Sequence, residues 1–336
     1  MLKKNKLEFY EYLRKTFDVF FILILIILLL IGFIGQSNFK IDQSSFELSL
    51  VSRNFSKTPI EINNLDKFKK NKNFLSSDQI NNKKIVLEWS KKIMYNVQND
   101  LAIPRMYFPY IPKNISEFQS TIKKDVFLSI LLPIALRGNE LVLLERKLMK
   151  VAFLSSNIYQ IENLAKKYKV KDFKKINFSD LTTSDLNRIK EELLTKINKI
   201  PISMILAQSI IESGWGSSRF AQEGNALFGE WTWKTNVGIK PKGNMDANFA
   251  VKNFKNLLES LNSYILNLNS HPAYFEMRRY RALKNKTGKK ITGYDTANFI
   301  EKDAEIGTKY ITKVTNIIKS NNLSRFENSN LELYLN

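Results

Sequence analysis

Glu212 is the residue in this chain best placed to do chemistry. It closes an apolar run, PISMILAQSIIE (201–212), in which Ile202, Ile205, Leu206 and Ile210 recur at helical spacing. Ser213-Gly214 follow, and a glycine just past the last turn stops a helix at little cost because it enters the left-handed conformation. Trp215-Gly216 come next, then Trp231 and Trp233, so three of the four tryptophans crowd this segment. Burial beside a tryptophan disfavours an ionised carboxyl, and a carboxyl kept protonated can donate to a leaving oxygen. The plainer alternative is a helix end whose glutamate is solvated and whose tryptophan is core.

The surrounding residues bear on that choice. AQSIIESGWGSSRFAQEGNALFGEWTW (207–233) resembles the catalytic segment of the Bax-type proteins of the bacterial glucosaminidase superfamily, glycoside hydrolase family 73. The likeness continues in YILNLNSHPAY (264–274), IPRMYFPYIP (103–112) and LLPIALRGNE (131–140), and so covers roughly residues 100–320. It implies a lysozyme-like helical fold, cleavage of peptidoglycan glycan strands, and Glu212 as the catalytic acid. It also implies a tyrosine in the closing helix facing the site, which is Tyr310 in EIGTKYITKV. An earlier tyrosine common in that motif falls here near Asp303, so no role for it carries over.

Cleaving a glycosidic bond usually takes a second group: a base for water, a nucleophile, or the substrate's own 2-acetamido oxygen. Glu230 and Asp246 are the candidate carboxylates, with Glu223 behind them; each is otherwise a solvated loop acid, and relatives carry glutamine at the position of Glu230. Trp215, Phe228, Trp231 and Trp233 are candidates for an apolar wall and sugar-stacking platform, with burial in the core as the alternative, favoured for Trp215 and Phe228. Asn225 suits either a turn or an amide that holds an acetamido group. Arg219 suits the structural task of tying down the loop after Glu212.

Composition removes other chemistries. There is no cysteine, which excludes disulfides, thiolate metal sites and cysteine nucleophiles. The one histidine, His271, precedes a proline and reads as structural, so multi-histidine metal sites are excluded. Neither a metal nor a cofactor is expected. The net charge of +20 suits an anionic wall polymer, a lipid surface or nucleic acid, but the basic residues are scattered and no nucleic-acid motif is present.

The rest of the chain must anchor and position the site. Residues 1–16 carry Lys3, Lys4, Lys6, Arg14 and Lys15 against two acids, and an unbroken apolar run follows from Val19 to Ile34. With its flanks, 17–35, it is long enough to cross a bilayer, which takes about 20 residues, and its charge puts the N-terminus in the cytoplasm. No small-residue cleavage site closes it, so it reads as an uncleaved anchor. Residues 36–85 read as a polar tether with a strand-like piece at 46–51. A helix is expected from near Asn82, then an irregular Pro-rich stretch at 101–118 whose Arg105, Tyr107, Phe108 and Tyr110 either line a sugar groove or pack. Ser120–Lys150 has helical periodicity that Pro133 kinks and Gly138-Asn139 break. Helices follow at 157–168 and at 184–199, the latter capped by Thr183 or Ser184, with Ser179 or Asp180 capping any turn before it. Pro201 opens the helix of Glu212. A Gly-interrupted β-hairpin lobe follows, then helices over 257–269, 271–283 and 295–320.

The expected protein is mainly α: a lysozyme-like helical domain with a small β-hairpin lobe, preceded by one N-terminal transmembrane helix. Its divisions are a cytoplasmic tail (1–16), an inner-membrane anchor (17–35), a polar tether (36–85), a helical N-terminal part (86–199) and a catalytic domain (200–325) in the periplasm. The expected activity is that of an endo-β-N-acetylglucosaminidase on peptidoglycan. A lytic transglycosylase on the same fold and a non-catalytic wall-binding scaffold are the alternatives.

Overall fold

The computed structural model describes residues 74–333, except 235, 237, 242–247 and 301–303. The expected tail (1–16), anchor (17–35), most of the tether, Asp246 and Asp303 lie outside the described residues.

The described chain is mainly helical, and one helix organises it. α3 (Ser120–Leu154) is 35 residues long and apolar on every face over its middle, where Val126–Ala135 are buried without a break. It is long and apolar enough to cross a membrane, yet 89% of its most apolar window is buried inside the protein. It is therefore a core helix. α2 (Lys83–Gln98), α4 (Ile158–Lys167), α6 (Ile202–Ser213) and α8 (Leu257–Ser270) pack around it. α2 starts at its cap Asn82, whose Oδ1 accepts from the amides of Lys84 and Ile85.

Gly138 and Asn139 do not break this helix, contrary to the sequence expectation, because packing uses both. A Cβ on Gly138 would come within 2.7 Å of Leu261 Cδ2, so the glycine lets α8 approach closely. Asn139 Nδ2 donates to Ile200 O at 2.7 Å, and its Oδ1 accepts from Ile200 N at 2.8 Å. The pair fixes the loop that enters α6. Pro133 is likewise accommodated inside the helix.

Residues 74–85, assigned to the tether by sequence, are folded. Phe74 bridges Tyr107, Leu75 and Ile80 are buried, and α1 (Ser77–Asn81) opens with a capping box between Ser76 and Gln79. Arg105, Tyr107 and Phe108 pack rather than line a groove: Arg105 forms a bidentate pair with Glu140, and both aromatics are buried. α5 (Thr183–Lys196) is capped by Thr182, one residue earlier than expected, because Asp185 reaches back to the Thr182 amide and completes a capping box. No helical turn precedes it at Ser179–Asp180.

After α7 (Arg219–Gly224), the expected hairpin is a three-stranded antiparallel sheet in the order β1-β3-β2, formed by β1 (Trp231–Thr232), β2 (Gly238–Ile239) and β3 (Ala250–Lys252). β3 is central, with Trp231 opposite Val251 and Ile239 opposite the same residue on the other side. The closing elements are α9 (Phe275–Lys286), α10 (Gly293–Ala297) and α11 (Ala304–Ser320), and both α10 and α11 pack on α6. Arg281 of α9 is fully buried and donates to the carbonyls of Thr195 and Lys196 at the end of α5 and of Asn198 and Lys199 in the loop after it. The fold also runs past residue 325. Phe326 is buried, and Glu332 and Asn330 pair with the backbone of Ile103.

Candidate active site

α6 is buried from Ile202 to Ile210 and carries Glu212 out of the core on its last turn. The helix has no side-chain cap of its own, since Pro201 stands at the N-cap position. Glu327 supplies one from the far end of the chain: its carboxylate accepts from the amides of Ile202 (3.0 Å), Ser203 (3.1 Å) and Gly293 (3.2 Å). An anion at the positive end of a helix satisfies orphan donors and the dipole together. The other end of α6 stops where the glycine pattern predicts. Gly214 is left-handed (φ 57°) and Trp215 and Gly216 continue with positive φ.

This turn carries Trp215 onto Phe127 (ring centroids 5.9 Å apart), with Lys124 above its face. Glu212 itself is exposed to solvent. The expectation of a carboxyl desolvated by Trp215 is therefore corrected: the tryptophan is partly buried against α3, and the carboxylate stands at the surface. What holds Glu212 is a line of hydrogen bonds instead. Tyr310, on α11, donates to Glu212 Oε1 at 2.9 Å. Gln208, one turn back on α6, donates through Nε2 to the Tyr310 oxygen at 3.1 Å. Tyr264, on α8, donates to Gln208 Oε1.

Burial, and then the Glu212 carboxylate, push the Tyr310 hydroxyl far above its usual range. Burial does the same to Tyr264, helped by the nearby Tyr310, Tyr274, Glu212 and Glu230. Both are neutral donors at neutral pH, so neither is a phenolate nucleophile.

On the other side of Glu212 runs the segment Leu227–Trp233. Gly229 is left-handed (φ 60°), and a Cβ there would stand 3.3 Å from Glu212 Oε2, with nothing else within 4 Å. The backbone thus passes close to the carboxylate and leaves that oxygen open. Phe228 is buried and stacks flat on Tyr264, with ring centroids 3.9 Å apart. Two and four residues beyond Gly229, Trp231 (60% exposed) and Trp233 (76% exposed) present large apolar surface to solvent, Trp231 resting on Phe249.

Glu230 is not free. Its Oε2 accepts from Lys252 Nζ (2.7 Å) and Ser263 Oγ (2.8 Å), while Oε1 is buried with no partner among the described residues. Asn225 is the left-handed cap of α7 and donates to Phe254 O at 3.0 Å. Arg219 pairs with the exposed Glu223 and donates to Lys240 O, tying α7 to the small sheet. His271 caps the short turn at 272–274 through Nδ1.

The structure thus brings together Glu212, Tyr310, Phe228 and the Gly229 turn. It sets Trp215 and Asn225 in structural positions and leaves Asp246 outside the described residues. Gln208 and Tyr264 are the residues that sequence reasoning missed. Gln208 stands four residues before Glu212, which is one helical face. That spacing was a usable signal. For Tyr264, spaced as a core position of its own helix, there was none.

Residues 190–323 match the family model described as glucosaminidase, mannosyl-glycoprotein endo-beta-N-acetylglucosaminidase. The chain is 31% identical over 188 residues to Protein bax of Escherichia coli (strain K12), a match covering 51% of this chain and 60% of that protein. It therefore spans less than two thirds of that relative's length. No solved structure gives a significant match.

Proposed function

We propose that this chain, which matches the glucosaminidase family model over residues 190–323 and is similar to Protein bax, is a peptidoglycan glycosidase. It cleaves β-1,4 bonds next to N-acetylglucosamine with Glu212 as general acid. The family points to a glycosidase-type enzyme. The observation that carries the finer reading is the Glu212 carboxylate, bonded by Tyr310 on one oxygen and open beside Gly229 on the other.

A glycan strand laid over the exposed faces of Trp231 and Trp233 would stack its sugar rings there. It would also cover Glu212, supplying the desolvation that the free protein lacks. The Glu212 proton passes to the glycosidic oxygen as the bond to C1 breaks, and the leaving sugar departs as an alcohol. C1 is then satisfied from the opposite face, by the substrate's 2-acetamido oxygen and afterwards by water, whose proton returns to Glu212. Glu230 is held by Lys252 and Ser263, so the second catalytic group in this scheme is the acetamido oxygen rather than a second carboxylate.

That single-carboxylate arrangement equally supports a lytic transglycosylase, in which a muramyl hydroxyl takes the place of water. Digestion of isolated peptidoglycan by the full-length protein, with the new ends identified by mass spectrometry, separates the two. Reducing N-acetylglucosamine ends support the hydrolase, and anhydro-muramyl ends replace it with the transglycosylase. Peptidoglycan lies in the periplasm, which fits residues 17–35 as a single-pass inner-membrane anchor with the catalytic domain outside the cytoplasm. The positive net charge suits an anionic wall polymer, and no role for nucleic acid is proposed.

A further inference from the structure

We propose that Gln208 is a positioning residue that sets the direction of the hydroxyl chain, so that the acid proton of Glu212 resides on Oε2, the oxygen facing Gly229. The inference rests on the reading of Glu212 as general acid and adds which oxygen acts and what makes it so.

The argument is a count of protons. A phenol has one proton to give, a carboxylate none, and a primary amide offers a donor nitrogen and an acceptor oxygen. Tyr310 gives its proton to Glu212 Oε1. Its oxygen can then only accept, so the amide nitrogen of Gln208 must face it, as it does at 3.1 Å. That leaves Gln208 Oε1 toward α8, where the Tyr264 hydroxyl donates to it. Tyr264 is buried and anchored by its stack on Phe228, so an amide turned over would set its nitrogen against that hydroxyl and take away the acceptor of the Tyr264 proton. Every proton in the chain therefore points toward Glu212.

A proton arriving on Oε1 would meet a donor already aimed at that oxygen. It settles on Oε2 instead, where the missing side chain of Gly229 leaves the approach clear. On transfer the Oε2–H bond breaks, the proton joins the glycosidic oxygen, and Glu212 becomes a carboxylate. The Tyr310 bond strengthens at that moment, because hydrogen bonds to an ionised acceptor are roughly twice as strong as neutral ones. Gln208 touches no substrate; it acts through Tyr310.

The test uses full-length protein in detergent with isolated peptidoglycan, comparing wild type, Glu212→Gln, Gln208→Met, Gln208→Glu and Tyr264→Phe. Gln208→Glu keeps a bonding group of the same shape but, in its ionised form, only accepts, so it takes the Tyr310 proton away from Glu212. The expected result is a roughly 10- to 100-fold fall in kcat with KM unchanged for Gln208→Met and Gln208→Glu. Tyr264→Phe should show a smaller fall of the same kind. Wild-type kcat in Gln208→Glu, or a loss carried by KM alone, overturns the proposal. Should either Gln208 variant melt early, Tyr264→Phe, which keeps the stack, decides the matter by the same kcat criterion. A wild type that releases no ends removes the glycosidase reading and this proposal with it; an active wild type, a dead Glu212→Gln and unimpaired Gln208 variants remove the proposal alone.

Discussion

Tyr310 donates to Glu212 Oε1 at 2.9 Å, a bond between residues 98 apart in the chain that joins α11 to the end of α6. Because Glu212 is exposed, this bond rather than a buried pocket orients its carboxylate. Tyr310→Phe removes the donor and keeps the ring. We expect kcat to fall by about 10-fold or more, since a hydrogen bond to a charged acceptor contributes on the order of 1.5–3 kcal/mol. Stability should change by less than about 1 kcal/mol. Steady-state kinetics beside a thermal melt check both halves, and unchanged kcat would detach Tyr310 from the mechanism.

Gly229 is where the backbone comes nearest to the acid. An alanine there must hold a positive φ, at a cost of about 1 kcal/mol, and places its methyl 3.3 Å from Glu212 Oε2. Gly229→Ala should therefore lose activity well beyond its loss of stability. Equal and small effects on both would show that the space beside Oε2 is not used.

The buried tyrosines give a spectroscopic prediction. Burial holds the hydroxyls of Tyr168, Tyr264 and Tyr310 above the ordinary value of 10.0 in the folded protein. Each raised value contributes stability that is present below pH of about 10 and is lost as the pH climbs through the folded value. Buried Arg278 and Arg281, pushed down to about 10 and about 9, run in the opposite sense, so net stability is the wrong observable. Tyrosinate absorbance is the right one. At about pH 11 the native protein should show less of it than the same protein in denaturant, and Tyr310→Phe should leave the native signal unchanged. A native titration matching the denatured one would contradict the buried placement.

Glu327 caps a helix that has no cap of its own. Glu327→Ala strips an acceptor from three backbone amides and should cost about 2–3 kcal/mol, more than an ordinary cap because the donors are part-buried. Glu327→Gln, which keeps one acceptor oxygen, should cost less. Denaturant titration measures both, and equal stability of all three proteins would contradict the assignment.

Local signals in the sequence carried the helices well. The apolar spacing of 257–269, the helix start near Asn82 and the glycine after Ser213 each answer to neighbours within a turn or two. The failures came where a distant partner decided the outcome. Gly138 and Asn139 look like breakers until Leu261 and Ile200 are set against them. Glu212 looks buried because its own helix is apolar, but exposure depends on how the last turn leaves the core. Thr182 and Thr183 look alike in sequence, and the reach of Asp185 selects the first of them. Glu327 and Tyr264 act on α6 from 125 and 56 residues away and left no local trace.

The most direct test of the account is turnover of isolated peptidoglycan by full-length wild type and Glu212→Gln, counted as newly released ends. Positioned general-acid catalysis is worth roughly 10²–10⁴ in rate, so the variant should lose at least 10²-fold while melting at the wild-type temperature and still binding the wall. Release of ends by Glu212→Gln at the wild-type rate would contradict the central claim.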